Sequence, residues 1–226
     1  MQREIVTIPA SLFRELKMTW DIDWRGQPGG QSNTGISQTV YNAFPRWVGQ
    51  PEVFLNGSAI TQWRAIRAQA QGRVGVYRVP MCDPLGFSMA DTGQSFPTGI
   101  PFSNGQPFST GFGFAYEPFA VAASAASAGA TQIRVDVSAV GVAPKTGQIM
   151  SHSEWPFMVT WVTEVSTDVY DIGIQMPLRA AIAVDDPVLM QGVGLFEAID
   201  EGMGNPVYGA TQFSTVRLSF REVLNR

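Results

Sequence analysis

Any chemistry in this chain would have to begin at His152, its single histidine, which stands in Met150-Ser151-His152-Ser153-Glu154 with a serine on either side. A histidine can act as general base to a serine, but only when a carboxylate orients the ring and a strained turn holds the hydroxyl. Ser-His-Ser in a hairpin turn supplies neither. His152 therefore reads as a surface or loop histidine, and no catalytic residue is assigned. Cys82 is the single cysteine and lies far from His152 in sequence, which leaves a metal ion only dispersed carboxylates. Asp21 and Asp23 flank Ile22 and could meet a cation, but exposed polar alternation is the simpler account; Asp185-Asp186 before Pro187 reads as a turn. No metal or cofactor site is expected. The glycine-rich stretches contain neither Gly-Lys-Ser/Thr nor a Gly-x-Gly-x-x-Gly opening a helix after a strand, so nucleotide chemistry is unsupported.

Rings are the next resource. Six tryptophans and fourteen phenylalanines could stack on sugars or bases. The base-binding version lacks a basic groove: the net charge is -4, and the basic residues are scattered, with Arg64, Arg67 and Arg73 the nearest to a cluster. A sugar-binding version would use Trp155, Trp161 and Tyr170 as platforms. Residues 84 to 116 differ from the rest, because Phe87, Phe96, Phe102, Phe108, Phe112 and Phe114 are spaced there by Gly, Pro and Ser. Long structureless loops are uncommon inside compact domains, so this stretch is expected either to pack as a long tip on its own core or to order on a neighbouring subunit. Phe96, Phe102, Phe108, Phe112 and Phe114 are accordingly the candidate subunit-contact residues.

The elements that must carry these residues are mostly strands. The loop Arg25 to Gly35, with its Pro-Gly-Gly triplet, reads as an irregular exposed connection. Gln38 to Phe44 and Pro51 to Leu55 read as strands, being aromatic and β-branched. Ser58 to Gly72 is the one helix, with Ser58 as cap, Gly72 as terminator and Ile60, Trp63, Ile66 and Ala70 as an apolar stripe, leaving Arg64 and Arg67 toward water. Arg73 to Val79 follows as a strand with Val74 and Val76 on one face, so a helix lying across a sheet is expected. Ala120 to Ala130 is a small-residue run read as a boundary. Alternation at Ile133, Val135 and Val137, at Phe157, Val159 and Trp161, and at Ile172, Ile174 and Met176, with Gly147–Met150 and Pro187–Met190, gives five short strands, enough for a small barrel. The last strand, Thr215 to Val223, turns Val216, Leu218 and Phe220 inward and is expected to return to the first domain's sheet.

The fold class is therefore mainly β, as a discontinuous first domain of residues 1–117 with 193–226 and a small inserted β domain of residues 118–192. A chain of 226 residues that is 45% hydrophobic and only 15% charged has a largely neutral surface, which costs less to desolvate against another subunit than a charged one. One cysteine excludes an intrachain disulfide, which fits folding in a reducing cytosol. No apolar stretch approaches a membrane span or a signal-peptide core, so a soluble chain without membrane contact is expected.

Several stretches carry a family resemblance. Gly29-Gly-Gln-Ser-Asn-Thr-Gly-Ile-Ser-Gln38, Arg46-Trp47, Ile60-Thr-Gln-Trp-Arg-Ala-Ile-Arg-Ala68 and Gly72-Arg-Val-Gly-Val-Tyr-Arg-Val-Pro-Met-Cys-Asp83 resemble structural tail proteins of long-tailed, siphovirus-type bacteriophages. The phenylalanine-glycine loop, Gly147–Met150, Met158–Thr160, Met176–Ala180 and Leu218–Val223 do so too. Within that group the chain is most similar to distal tail proteins, which form the baseplate ring. The resemblance implies a ring-forming, usually hexameric, tail-tube-like β-sandwich with one flanking helix and an inserted small β-barrel-like domain. It also implies a virion structural role joining the tail tube to tail-tip, hub and receptor-binding proteins, with assembly in the host cytoplasm. The motifs are diffuse and carry no site residue across. A major tail-tube subunit and a carbohydrate-binding host-recognition module are the alternatives; a tail-tip hydrolase would need a paired acid and base that the sequence does not display.

Overall fold

The computed structural model describes residues 3–13, 16–17, 19–31, 34–35, 37–40, 44–92, 102–110, 113 and 117–225. It is mainly β, with one α-helix among these residues. Contacts divide the chain into a first unit, Met1–Cys82 with Gly194–Arg226, and a second, Asp83–Val193.

The first unit opens with β1 (Ile5–Thr7), β2 (Leu16–Lys17), β3 (Trp20–Asp23), β4 (Gln27–Gln31), β5 (Ser37–Val40), β6 (Arg46–Gly49) and β7 (Glu52–Asn56). Helix α1 (Gly57–Ala70) and β8 (Val76–Pro80) follow. The second unit holds β9 (Phe119–Ala122), β10 (Gln132–Asp136), β11 (Ile149–His152), β12 (Trp155–Ser166), β13 (Val169–Gln175) and β14 (Pro187–Leu189). The chain ends through β15 (Val193–Ala198), β16 (Phe213–Arg217) and β17 (Phe220–Glu222).

In the first unit a six-stranded sheet runs β1-β8-β15-β17-β6-β3, and a three-stranded sheet runs β16-β7-β2. The expected terminal strand is two strands: β16 pairs with β7, and β17 pairs with both β15 and β6. Val216, Leu218 and Phe220 are all buried, as their alternation requires. Phe220 lies at the centre of an aromatic cluster, with ring centroids 6.2 Å from Trp20, 6.0 Å from Phe196 and 5.7 Å from Tyr77. Gly49, directly opposite Trp20, must be glycine, because a Cβ there would overlap the indole.

Helix α1 buries the expected stripe, Ile60, Trp63, Ile66 and Ala70, and packs against β1, β7 and β16. The Trp63 indole N–H donates to the Gly204 carbonyl at 2.7 Å. The cap is Asn56 in extended geometry instead of Ser58, and the left-handed turn begins at Gln71, one residue before Gly72. Two further expectations are corrected. Val74 is exposed in the turn after α1 while Val76 is buried, so the two do not share a strand face. The Pro-Gly-Gly loop is one arm of a hairpin, β4 pairing with β5, because backbone hydrogen bonds need no side chain; a bulge between Pro28 and Gly30 absorbs the irregularity.

One ion cluster ties the ends of this unit together. Both Arg3 and Arg221 donate to Glu197, Arg3 Nη1 at 3.0 Å and Arg221 Nε at 2.8 Å. Arg3 also donates to the carbonyls of Arg73, Val74 and Gly75. Burial alone would raise the Glu197 carboxyl, but the two guanidinium groups outweigh it and hold its pKa below the usual glutamate range.

The second unit is a closed barrel, β10-β13-β12-β11-β14-β9. Five of its strands are the expected ones. The sixth, β9, lies in the small-residue run read as a boundary: Ala120 and Ala122 are fully buried in the barrel interior, and β9 pairs with β10 and β14. Ala120, Ala122, Ile133, Val135, Phe157 and Ile172 belong to its interior. The expected boundary at 117/118 and the observed one at 82/83 differ by the segment between them. Phe87 joins the barrel core, and Lys145 Nζ donates to the Gly86 carbonyl at 3.3 Å and to Asp91 at 2.8 Å.

Phe220→Ala should cost about 3–5 kcal/mol, as expected for a fully buried ring, measured by denaturant unfolding. A carboxyl with depressed folded-state pKa stabilises the fold above its unfolded value and loses that contribution as pH falls through the folded value. The Tm gap between wild type and Glu197→Gln should therefore be largest near neutrality and shrink in acid.

Candidate assembly surfaces

The candidate contact loop is described over residues 102–110, all of them exposed. Phe102 N–H donates to the Gln106 carbonyl at 2.9 Å, Gly105 N–H donates to the Phe102 carbonyl at 2.8 Å, and Asn104 Oδ1 accepts from Gln106 N–H at 3.1 Å. This tight turn, with Gly105 at φ 80°, brings Phe102 and Phe108 edge to face with centroids 4.9 Å apart. Both residues are nevertheless exposed, 42% for Phe102 and 38% for Phe108. Phe96, Phe112 and Phe114 lie outside the described residues.

A second aromatic pair escaped the sequence reading. Phe54 on β7 and Phe213 on β16 stack at 5.5 Å on the outer face of the three-stranded sheet, both exposed. Alternation places them there: Val53, Leu55 and Val216 turn inward, so Phe54 and Phe213 must turn out. The signal was available, since Phe54 stands between two apolar neighbours of opposite facing. Open strand edges accompany these rings. The six-stranded sheet ends at β1 and at β3, and the three-stranded one at β16 and β2. Unpaired edge backbone is a template for another strand. At β3 the edge carries Asp21 and Asp23; Asp21 accepts from Ile22 N–H at 2.7 Å, and Asp23 faces Arg46 at 3.5 Å.

His152 is not a surface or loop residue but the buried last residue of β11, with 7% of its surface exposed. Its Nδ1 lies 3.0 Å from the Pro187 carbonyl, its Nε2 is 3.2 Å from Ser153 Oγ, and Asp186 Oδ2 is 3.9 Å from the same Nε2. The ring thus bridges the β11 end to the β14 start. Ser151 is also buried, and its hydroxyl accepts from Val193 N–H at 2.9 Å. Among the described residues no group of three His, Cys, Asp or Glu is placed to hold a metal ion. No helix among them is long and apolar enough to cross a membrane.

Trp155, Trp161 and Tyr170 do not form one platform. Trp161 lies on the outside of the barrel over Gly173, where a Cβ would collide with the indole, and is 42% exposed. Tyr170 faces the other way and packs against the barrel core beside Val135. Trp155 is six residues from Trp161 along β12, about 20 Å in extended chain, and holds the Arg179 guanidinium 5.8 Å over its ring.

Comparison of the sequence with models of known families finds no match, and no curated protein is significantly similar to it. The functional reading therefore stands on the surfaces and on the residue pattern.

Phe102→Ser with Phe108→Ser should leave Tm within a few degrees of wild type, since neither ring is buried. The same double variant should weaken self-association, read by sedimentation velocity.

Proposed function

We propose that this chain is a structural subunit that works by joining other copies and other proteins. The observation that carries this reading is the contrast between the two units. The barrel closes on itself, while the sheets of the first unit have edges that no strand among the described residues pairs, and the unit presents stacked aromatic side chains on an outward sheet face. An open edge beside exposed rings is a liability in a lone globule and an asset in an assembly, because a neighbour can pair the backbone and cover the rings. The low charge content lowers the desolvation cost of such contacts.

The particular assembly is the tail of a long-tailed bacteriophage, with the chain acting as a distal tail protein. In this reading the first unit is the ring-forming, tail-tube-like β-sandwich, and the barrel is the small inserted domain. The ring, a hexamer by resemblance, joins the tail tube to the tail tip and receptor-binding parts. A closed ring satisfies the edges that a single copy leaves open. The repeating tail-tube subunit would share these surfaces and differ in stacking indefinitely. A carbohydrate-binding role retains only the exposed Trp161, because its two proposed partners lie elsewhere on the barrel.

Electron microscopy with native mass measurement of the purified protein tests the reading. Closed rings of one or two layers are expected. Long tubes would move the assignment to the tube subunit, and a chain that stays single at every concentration would end it.

A further inference from the structure

Helix α1 turns Arg64 and Arg67, three residues apart, toward a surface cavity of about 550 Å³ that Asn205 and Tyr208 also line. Both guanidinium groups are held by neutral oxygens: Arg64 Nη1 donates to the Tyr208 hydroxyl at 3.0 Å and Arg67 Nη1 to Asn205 Oδ1 at 2.9 Å. Neither has a carboxylate within ion-pair distance among the described residues, although Glu201 lines the same cavity and offsets one of the two charges. Exposed apolar surface adjoins it at Tyr208 and at Val207, which is 82% exposed.

The complementary surface is the tip of the β12–β13 hairpin. Glu164 and Asp168 stand there on either side of the exposed Val165, and both carboxylates act on Tyr170, raising its pKa after the larger effect of burial. Among the described residues no cation lies within ion-pair distance of either. Elsewhere most carboxylates are already engaged: Asp171 takes both arms of Arg134, Asp91 takes Lys145, and Glu197 takes Arg3 and Arg221. The other exposed acidic turn offers less, because Asp186 already accepts from Ala183 N–H at 2.8 Å.

We infer that the acidic β12–β13 tip of one copy docks into the Arg64–Arg67 cavity of a second copy, with Val165 against Tyr208 and Val207. This inference rests on the subunit reading and deepens it by naming an interface. The two surfaces are different patches of the same chain, and such a contact repeated head to tail closes as a ring when the rotation between copies divides a full turn. Charged groups placed this way fix register and reject wrong partners more than they add affinity.

Two charge-reversed variants test it. One carries Arg64→Glu with Arg67→Glu; the other carries Glu164→Arg with Asp168→Asn, asparagine being chosen because residue 168 has φ 62° and must tolerate a left-handed backbone. Each variant alone places like charges together and should associate on the order of a hundredfold more weakly than wild type by sedimentation velocity. An equimolar mixture restores opposite charges at every contact and should assemble again as alternating rings. Arg64→Gln and Glu164→Gln, milder changes checked by thermal melting, should each weaken association and reduce its sensitivity to salt. If both reversed variants assemble as well as wild type, or if the mixture fails to recover, this pairing is wrong while the subunit reading stands. A wild-type chain that never self-associates overturns both.

Discussion

Phe220 lies among Trp20, Tyr77 and Phe196 on a strand hydrogen-bonded on one side to β15 and on the other to β6, and the first unit depends on that crossing. The four rings come from both ends of the sequence, so no local segment can assemble the cluster. Their burial is what brings the last strand of the chain between strands laid down far earlier. The same stretch, two residues upstream, pairs β16 with β7, so one short run of chain belongs to two sheets. Between the two halves of this unit lies Asp83–Val193. Closing so long a loop is tolerable because its entropic cost grows only with the logarithm of length, about 0.6 kcal/mol per doubling.

The two units solve the edge problem in opposite ways. In the barrel every strand has a neighbour on each side, and β9 completes the circuit by pairing with β10 and β14. In the first unit no strand among the described residues pairs with the outer edges of β1 and β3, and the β3 edge carries aspartates. Edge charges discourage indiscriminate pairing without preventing a specific one. That distinction is what an assembling subunit requires. It must avoid random sheet extension and still accept one partner geometry.

Charge is used sparingly across the chain, and where it occurs it is mostly local. Glu197 holds both Arg3 and Arg221, and Arg134 forks onto Asp171, so these groups pin neighbouring strands and have little left for a partner. Arg64 and Arg67 on the helix differ, since their guanidinium groups are held by the neutral oxygens of Tyr208 and Asn205. His152 illustrates the reverse case. Flanking serines suggested a possible base, yet the ring is buried at the end of a strand and is held by the Pro187 carbonyl and its neighbouring hydroxyl.

By itself the sequence determined what period and composition can carry. The mainly β character, the buried face of α1 at Ile60, Trp63, Ile66 and Ala70, and the inward residues of β10, β13 and the terminal strands were legible because each follows from alternation or helical spacing. The sequence left open whether Phe102 and Phe108 pack on their own core or on a neighbour, and the structure leaves both exposed. Tertiary structure alone decided the rest. It decided that β4 pairs with β5 through a glycine-rich run, that Ala120 and Ala122 form a barrel strand, that Val74 faces water, and that Phe54 meets Phe213. Strand pairing and close packing depend on which backbone lies alongside, and that neighbour is supplied by residues distant in the chain, beyond the reach of any local pattern.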